Sequence, residues 1–589
     1  MNMKRALSLL LALVMSLGLL TACGGEEAGG EQASAEKKYI RLSATSQQTT
    51  CNPFTAGSSV DTSFTGYISS GLYGVIPDPE TKKGARIPVF ADGLPIDVNG
   101  DGMVWQLKVR EDAKWASGEP INADTFLYSW KMCLDPKLLC SGAGNLATRY
   151  VRILNAEPYY MQLSTGETVD WESVGIKKID ERILEITLEE PYTLKEMMQH
   201  FSQQNSYPVY EPLFEAGMNA DRSETTYGTD ISQVMCSGKF YVSQWVKGSE
   251  VRYEKNPNWP HADQIVVDGM ISRVVQDNNT QVQMFEAGEL DYVSVQVDGI
   301  EKYEEDPRLV KGSSHYIDTI DICSTNTDEP ILGNPNFKEA LYYAVDRVTL
   351  AKLTKTNPSA WLVSHMCVSY ADGTFFRDLP VANEYIPGEE ENYDYDPVRA
   401  KELFDKAMEE ENLTFVDLDF LYNTDSSTTT LMAEFLQEAL MNVFGEDKCK
   451  ITLNAMPSAL ALEQKKSCKT NPNAYELTLA NWAVGAGKDN PLYSLQVFTS
   501  TYSRRNAPYN NKEADELFLL AKTYDVRMDE VKLAEVTAAM ERSLLENHDT
   551  IPIIERTSYV MFSDRFVPYL SVQDPTLGWG ITYSDIKTN

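Results

Sequence analysis

Two periods of hydrophobicity alternate along the chain. From Tyr39 to Ala44 (YIRLSA), Val104 to Val109 (VWQLKV) and Ile183 to Leu188 (ILEITL), apolar and polar residues take turns, as in a strand with one buried face. Elsewhere the apolar positions return every three or four residues. Phe337, Leu341, Ala344, Val345 and Val348 share one face of a helix expected over 336–355. Asp346-Arg347 falls late in that stretch, where a cation suits the negative end of the helix. The same period predicts helices over 397–410, 429–444, 512–523 and 528–547. Strands and helices mixed along the whole length imply an α/β fold, its sheets covered by helices and built into lobes. No internal repeat stands out.

The N-terminus departs from this pattern. Lys4 and Arg5 precede an apolar run from Ala6 to Leu20, which has the length of a signal-peptide core and is short for a spanning helix. Leu20-Thr21-Ala22-Cys23 follows, with Gly24-Gly25 behind it. Small residues before a cysteine form a bacterial lipobox, so residues 1–22 are expected to be cleaved and the Cys23 thiol to carry lipid. Residues 23–38 include GGEEAGGEQASAEKK, which has no apolar face to bury and is expected to be a flexible tether. The expected location is the extracytoplasmic face of the cell membrane, held there by the lipid.

About 550 residues remain, too many for a single core, so two or three domains are expected. The chain carries 52 basic and 86 acidic side chains, a net charge of −34. Such a surface repels phosphate backbones and argues against nucleic acid as a partner. Of nine cysteines, eight are left once Cys23 is lipidated, and an even number outside the cytosol permits disulfides. Cys449 and Cys468 are the pair placed to bridge; buried free thiols are the alternative.

Catalytic signals are poor. None of the five histidines (His200, His261, His315, His365 and His548) pairs with another His or Cys at metal-ligand spacing. There is no G-x-S-x-G elbow. Gly485-Ala486-Gly487-Lys488 imitates the end of a phosphate loop, but Trp482 stands where its first glycine belongs and Asp489 where the Ser/Thr belongs. Asp97 to Gly102 (DVNGDG) imitates half a calcium loop, yet Lys108 occupies the twelfth position, where a bidentate Glu is needed. A tight turn between strands is the simpler reading. No enzyme activity, metal or cofactor is expected.

Six segments occur in a telling order. Trp105 to Pro136 contains Arg110, Ala113-Lys114-Trp115, Gly118, Pro120, Ala123-Asp124, Phe126 and Tyr128-Ser129-Trp130. Tyr207 to Trp259 contains YPV, YGT, SGKF, Trp245 and KNPNW. Then come FEAGELD at 285–291, Asn326 with NFKEALYYAVDR at 336–347, Tyr395-Asp396-Pro397 with Ala400-Lys401 and Leu403, and finally Ile551-Pro552 with Asp574-Pro575. Together these resemble the solute-binding proteins of peptide ABC importers, solute-binding family 5, from about Tyr39 to the C-terminus. Arg110, Trp115, Asp124, Asn256, Asp291 and Asp346-Arg347 read best as fold landmarks: turns, caps and buried pairs.

The resemblance implies a periplasmic-binding-protein-like fold of two lobes with an extra subdomain on the first. Mapped here, the first lobe takes 39–318 and 550–589, the extra subdomain about 70–208, and the second lobe 319–549. Ligand would bind in the cleft and the lobes would hinge shut on it. It also implies a monomer that passes an extended peptide to membrane permease subunits, its backbone held as in strand addition. The implied contacts are Gly57, Ser58 and Ser59; Asn481, Trp482, Ala483 and Val484; and Glu555 and Arg556. One departure bears on the ligand. An aspartate three residues after the tryptophan accepts the peptide ammonium in the family, and Gly485 stands there in this chain. Either Asp489 takes the role, or the ligand is not held by a free N-terminus. Alternatives on the same fold are an oligosaccharide, a metal chelate or a signalling peptide.

Overall fold

The computed structural model describes residues 37–370, 373–384, 386, 392–424, 426–467, 471–483, 490–500 and 511–588, with the backbone alone at 315, 459, 466, 482 and 483. Cys23 and all but the last two residues of the expected tether lie outside the described residues.

Tyr39–Ala44 is a strand, as its alternation predicts, with Ile40 and Leu42 turned inward. It runs parallel to Gly269–Val274, and the sheet continues antiparallel through Glu250–Lys255 to Phe240–Val246. Val104–Lys108 and Ile183–Thr187 pair antiparallel in a second four-stranded sheet, with Trp105, Leu107, Leu184 and Ile186 on its inner face. Helix Ala123–Cys133 starts from a capping box in which Asn122 and Thr125 satisfy each other's amides. Its Trp130 is buried and donates to the Ser206 carbonyl at 2.9 Å. One continuous core runs from Ile40 to Met270 and takes up Val560 to Ile586 from the end of the chain.

Several motif residues are landmarks of this body. Arg110 clasps Asp112 and reaches the Val89 carbonyl. Buried Asn256 donates to the Gly238 carbonyl at 2.8 Å, and buried Asp291 receives Arg41. The Asp97 carboxylate accepts the amides of Gly100 at 3.0 Å and Gly102 at 2.7 Å. It therefore closes a turn between Ile96–Asp97 and Val104–Lys108.

A second core, from Ile320 to Ile554, lies on a seven-stranded sheet. Helices Pro335–Ala344, Pro397–Glu410 and Ser427–Phe444 contribute Phe337, Phe404 and Phe444 to it. The helix expected over 336–355 is in fact two. The first ends at Ala344, and Asp346 caps the second, Arg347–Thr354, by accepting the Thr349 amide at 2.9 Å. Buried Arg347 turns back onto the carbonyls of Tyr342 and Val345, so it does serve the end of the first helix. A third core joins residues 362–382 to helices Lys512–Ala521 and Glu530–Asn547.

Two long strands, Leu309–Ile322 and Thr550–Phe562, pair antiparallel along most of their length. Leu309–Ser313 pairs Thr557–Met561, and Ile317–Asp321 pairs Thr550–Glu555. The register shifts between these stretches, at Ser313/Ile317. The first stretch adjoins the core that holds Val560, the second the core that holds Ile554. The seven described cysteines, Cys449 among them, are buried free thiols, while Cys468 lies outside the described residues. No helix among the described residues is long and apolar enough to cross a membrane.

Candidate functional site

Strand Leu477–Ala483 lies between Leu309–Ile322 and Val416–Asn423. Leu477 and Leu479 anchor it in the second core. On one side it pairs antiparallel with the long strand, Asn481 opposite Asp318 and Trp482 opposite Ile317. On the other, pairing to Val416–Asn423 stops at Thr478. Lys465 donates to the Leu479 carbonyl at 2.6 Å. From Ala480 to Ala483 no strand pairs with that second edge among the described residues. Val484, Gly485 and Asp489, which follow, lie outside the described residues, as does the loop that imitates a phosphate site.

Glu555 stands across the same ladder, opposite Ile317, so Trp482, Ile317 and Glu555 form one row over three strands. Its buried carboxylate is fully engaged. It accepts from Ser364 Oγ at 2.6 Å, the His365 amide at 3.1 Å and Trp361 Nε1 at 3.1 Å, and His365 Nδ1 lies 2.8 Å away. Burial alone would raise this carboxyl, but the donors outweigh it and hold it below its usual range. Arg556 points to the opposite face and forks onto both oxygens of buried Asp318, at 2.6 and 2.8 Å. Each charge in the expected contact pair is thus matched by a protein partner.

Gly57, Ser58 and Ser59 are exposed where the chain of the first body enters helix Ser59–Ile68. Ser58 caps helix Ser59–Ile68, accepting the Asp61 amide at 3.0 Å. The structure therefore brings Asn481, Trp482, Glu555 and Arg556 together. No hydrogen bond, ion pair or strand register among the described residues joins Gly57–Ser59 to them.

A cavity of about 1220 Å³ is bounded by 81–86, 193–199, 368–370, Gly373 and Phe375, 527–533 and 568–576, with Asn490 on its wall. None of the sequence-expected contacts lines it, although Asn490 directly follows 484–489. Its rim carries a polar bridge between bodies that sequence reasoning missed. Arg527 donates to the Pro191 carbonyl at 2.7 Å, lies 3.8 Å from both Glu190 and Glu196, and sits 4.6 Å over the Tyr192 ring. Tyr493 donates to Glu196 at 3.3 Å, and Lys195 to the Ser369 carbonyl at 3.2 Å. The one signal in the sequence was the capping box Thr193–Glu196, which fixes helix Leu194–His200 and so presents Lys195 and Glu196.

The profile of the bacterial extracellular solute-binding proteins, family 5, matches residues 86–504. The chain belongs to that family. Among relatives of this family-5 protein, the dipeptide-binding protein DppE of Bacillus subtilis (strain 168) is 26% identical over 564 residues, 94% of each chain. The oligopeptide-binding protein OppA of the same organism is 23% identical over 568 residues, again 94% of each. In structure, the peptide-bound OppA of Listeria monocytogenes superposes with a TM-score of 0.68 at 18% identity, covering 94% of this chain and 100% of that one. The fold is therefore the periplasmic-binding-protein-like one of two lobes with an extra subdomain. Members of the family are extracellular substrate-binding receptors.

Proposed function

We propose that this protein captures short peptides outside the cytoplasm for an ABC importer, tethered to the membrane by a lipid on Cys23. The observation that carries this reading is the half-paired strand Leu477–Ala483. One edge is taken by Leu309–Ile322, and the other, from Ala480 onward, has no strand beside it among the described residues. An extended peptide can pair with such an edge through its backbone, whatever its side chains are. Affinity then rests on atoms that all peptides share, and broad specificity follows. The dipeptide-binding and oligopeptide-binding names of the relatives agree with this reading. No enzymatic step is assigned to the chain.

In this reading one lobe is 39–318 with the returning C-terminus, and the other is 319–549. The cores support a return crossing between Ile554 and Val560, a few residues beyond 550. Gly57–Ser59 would approach the ligand from the first lobe. Asp489 would accept the peptide ammonium in place of the carboxylate that Gly485 lacks. Glu555 and Arg556, each already paired, would shape the floor beneath the ligand through His365 and Asp318. Closure follows because the ligand touches both lobes only when they meet. The protein would act as a monomer and dock onto permease subunits.

Titration calorimetry with a library of short peptides, each as free amine and as N-acetyl form, tests this. Heat from free-amine peptides that is lost on acetylation and in Asp489→Asn supports the whole reading. Binding that survives both keeps the peptide and removes Asp489. No heat from any peptide, with mass spectrometry finding only a glycan or chelate released from the denatured protein, rejects the peptide.

A further inference from the structure

A smaller cavity of about 290 Å³ adjoins the large one, and Arg86 and Gln199 line both. It lies wholly within the first body. Its wall runs from the end of helix Ser59–Ile68, across Tyr73–Pro77 and Gly84–Pro88, to residues 199–207, and Lys239 and Trp259 close it. The lining is polar and of one sign. Arg86 and Lys239 face it, and no aspartate or glutamate does. In a chain with 86 acidic and 52 basic side chains, that inverts the average.

Lys239 is the unusual member. Its ammonium makes no hydrogen bond or ion pair among the described residues. Its neighbours are ring faces, with Tyr583 at 5.2 Å and Trp259 at 6.0 Å from Nζ. Burial, with no carboxylate to oppose it, pushes the lysine down to about 8. Lys239 is half-buried, and a cation partly withdrawn from water is stabilised when a counter-charge joins it. Across the cavity Arg86 donates to Ser202 Oγ at 3.0 Å. The side-chain oxygen of Gln203 is buried without a donor, while its Nε2 is spent on the Asn145 carbonyl at 3.1 Å. An unmatched cation in a polar cavity that no carboxylate lines points to an anionic occupant.

We propose that this cavity is a small-anion site, in which Lys239 and Arg86 hold a carboxylate or similar oxyanion. Two sources supply such a carboxylate, a free anion or an acidic group of a ligand reaching in past Arg86 and Gln199, and the test separates them.

The test is titration of the full chain with acetate and with inorganic phosphate in chloride-free buffer, for wild type and Lys239→Met, with crystals soaked in bromide. Anomalous bromide density beside Nζ, and a loss of at least tenfold in acetate affinity in the variant, are expected for a free anion. For a ligand's carboxylate, Lys239→Met lowers affinity at least tenfold for peptides bearing Asp or Glu and leaves neutral peptides unchanged. Wild type alone gives a further readout should the variant fold poorly. The titratable groups facing Lys239 are Arg86, Tyr73, Tyr150, Tyr207 and Tyr583. Burial raises Tyr73 and Tyr583 and pushes Tyr207 up to about 12, while nearby His200 is pushed down to about 3. Anion affinity should therefore fall about tenfold per pH unit above about pH 8, as Lys239 loses its proton. No bromide density, with anion and acidic-peptide affinities indifferent to both Lys239→Met and pH, would overturn the proposal.

Discussion

Arg527 offers the sharpest test of how the two bodies are held together. It belongs to the short helix Tyr524–Arg527, and its guanidinium reaches the Pro191 carbonyl, Glu190, Glu196 and the Tyr192 ring of the other body. In Arg527→Met an apolar side chain replaces the guanidinium over the Tyr192 ring and the charge is lost. A hydrogen bond from a charged donor contributes about 1.5–3 kcal/mol. The ion pairs, at 3.8 Å, are at the loose end of their range and add less than a close pair. Against these stands the dehydration of the guanidinium, whose side chain is only 6% exposed. A net of about 2 kcal/mol is a fair figure, which shifts the balance between joined and separated bodies by a factor of about 30. Glu196 keeps its cap hydrogen bonds to Thr193, so its helix should survive. Small-angle scattering of ligand-free protein should then show a larger radius of gyration for the variant. Calorimetry should show weaker ligand binding, by up to the same factor when the unliganded wild type is mostly open. A variant that is folded by circular dichroism, with an unchanged radius and affinity within about twofold of wild type, would refute the reasoning.

Other positions give independent checks. Glu555→Ala strands the donors of Trp361, Ser364 and His365 and should cost about 3 kcal/mol, read as a drop of several degrees in melting temperature. Because Glu555 titrates below its ordinary range when folded, that contribution is complete above about pH 4.3 and fades as pH falls further, so the gap between the two melting curves should narrow with acidification below that pH. Glu476 behaves oppositely: burial, then Glu329, Asp419 and Asp417, push it up to about 7. Its ionisation therefore opposes folding as pH rises through 7, and Glu476→Gln should raise the melting temperature at pH 8 and hardly change it at pH 5. Gly228→Ala places a Cβ 2.4 Å from the Asn52 amide at φ +77°, and should destabilise by about 2 kcal/mol or more in chemical unfolding. Cys23→Ala should move the protein from the membrane fraction to the soluble fraction; retention on the membrane would remove the proposed anchor.

Much of the scaffold was legible because burial imposes a period. Tyr39–Ala44, Val104–Lys108 and Ile183–Thr187 each bury one face, and alternation marked all three. The helix over 336–355 was misread because its apolar face continues straight through the break. The local clue was Asp346 with Thr349 three residues on, a cap inside an amphipathic run. The pairings of the candidate site were not legible. Glu555 and Arg556 look like ligand-facing charges until His365 and Asp318, both far away in the chain, are seen to hold them. Arg527 and Glu196 are still farther apart, and nothing local in either segment announces the other. Lys239 reads as an ordinary surface lysine before Phe240; only the fold reveals that no acid waits for it.

The ribbon formed by Leu309–Ile322 and Thr550–Phe562 has a mechanical consequence. Two hydrogen-bonded strands resist stretching and sliding but yield to twist, most of all where the register slips between Ser313 and Ile317. Relative motion of the bodies thereby reduces to one soft coordinate, an angle. A permease sensing such a receptor would read that angle and not the cargo, so peptides of unrelated sequence could present one and the same silhouette.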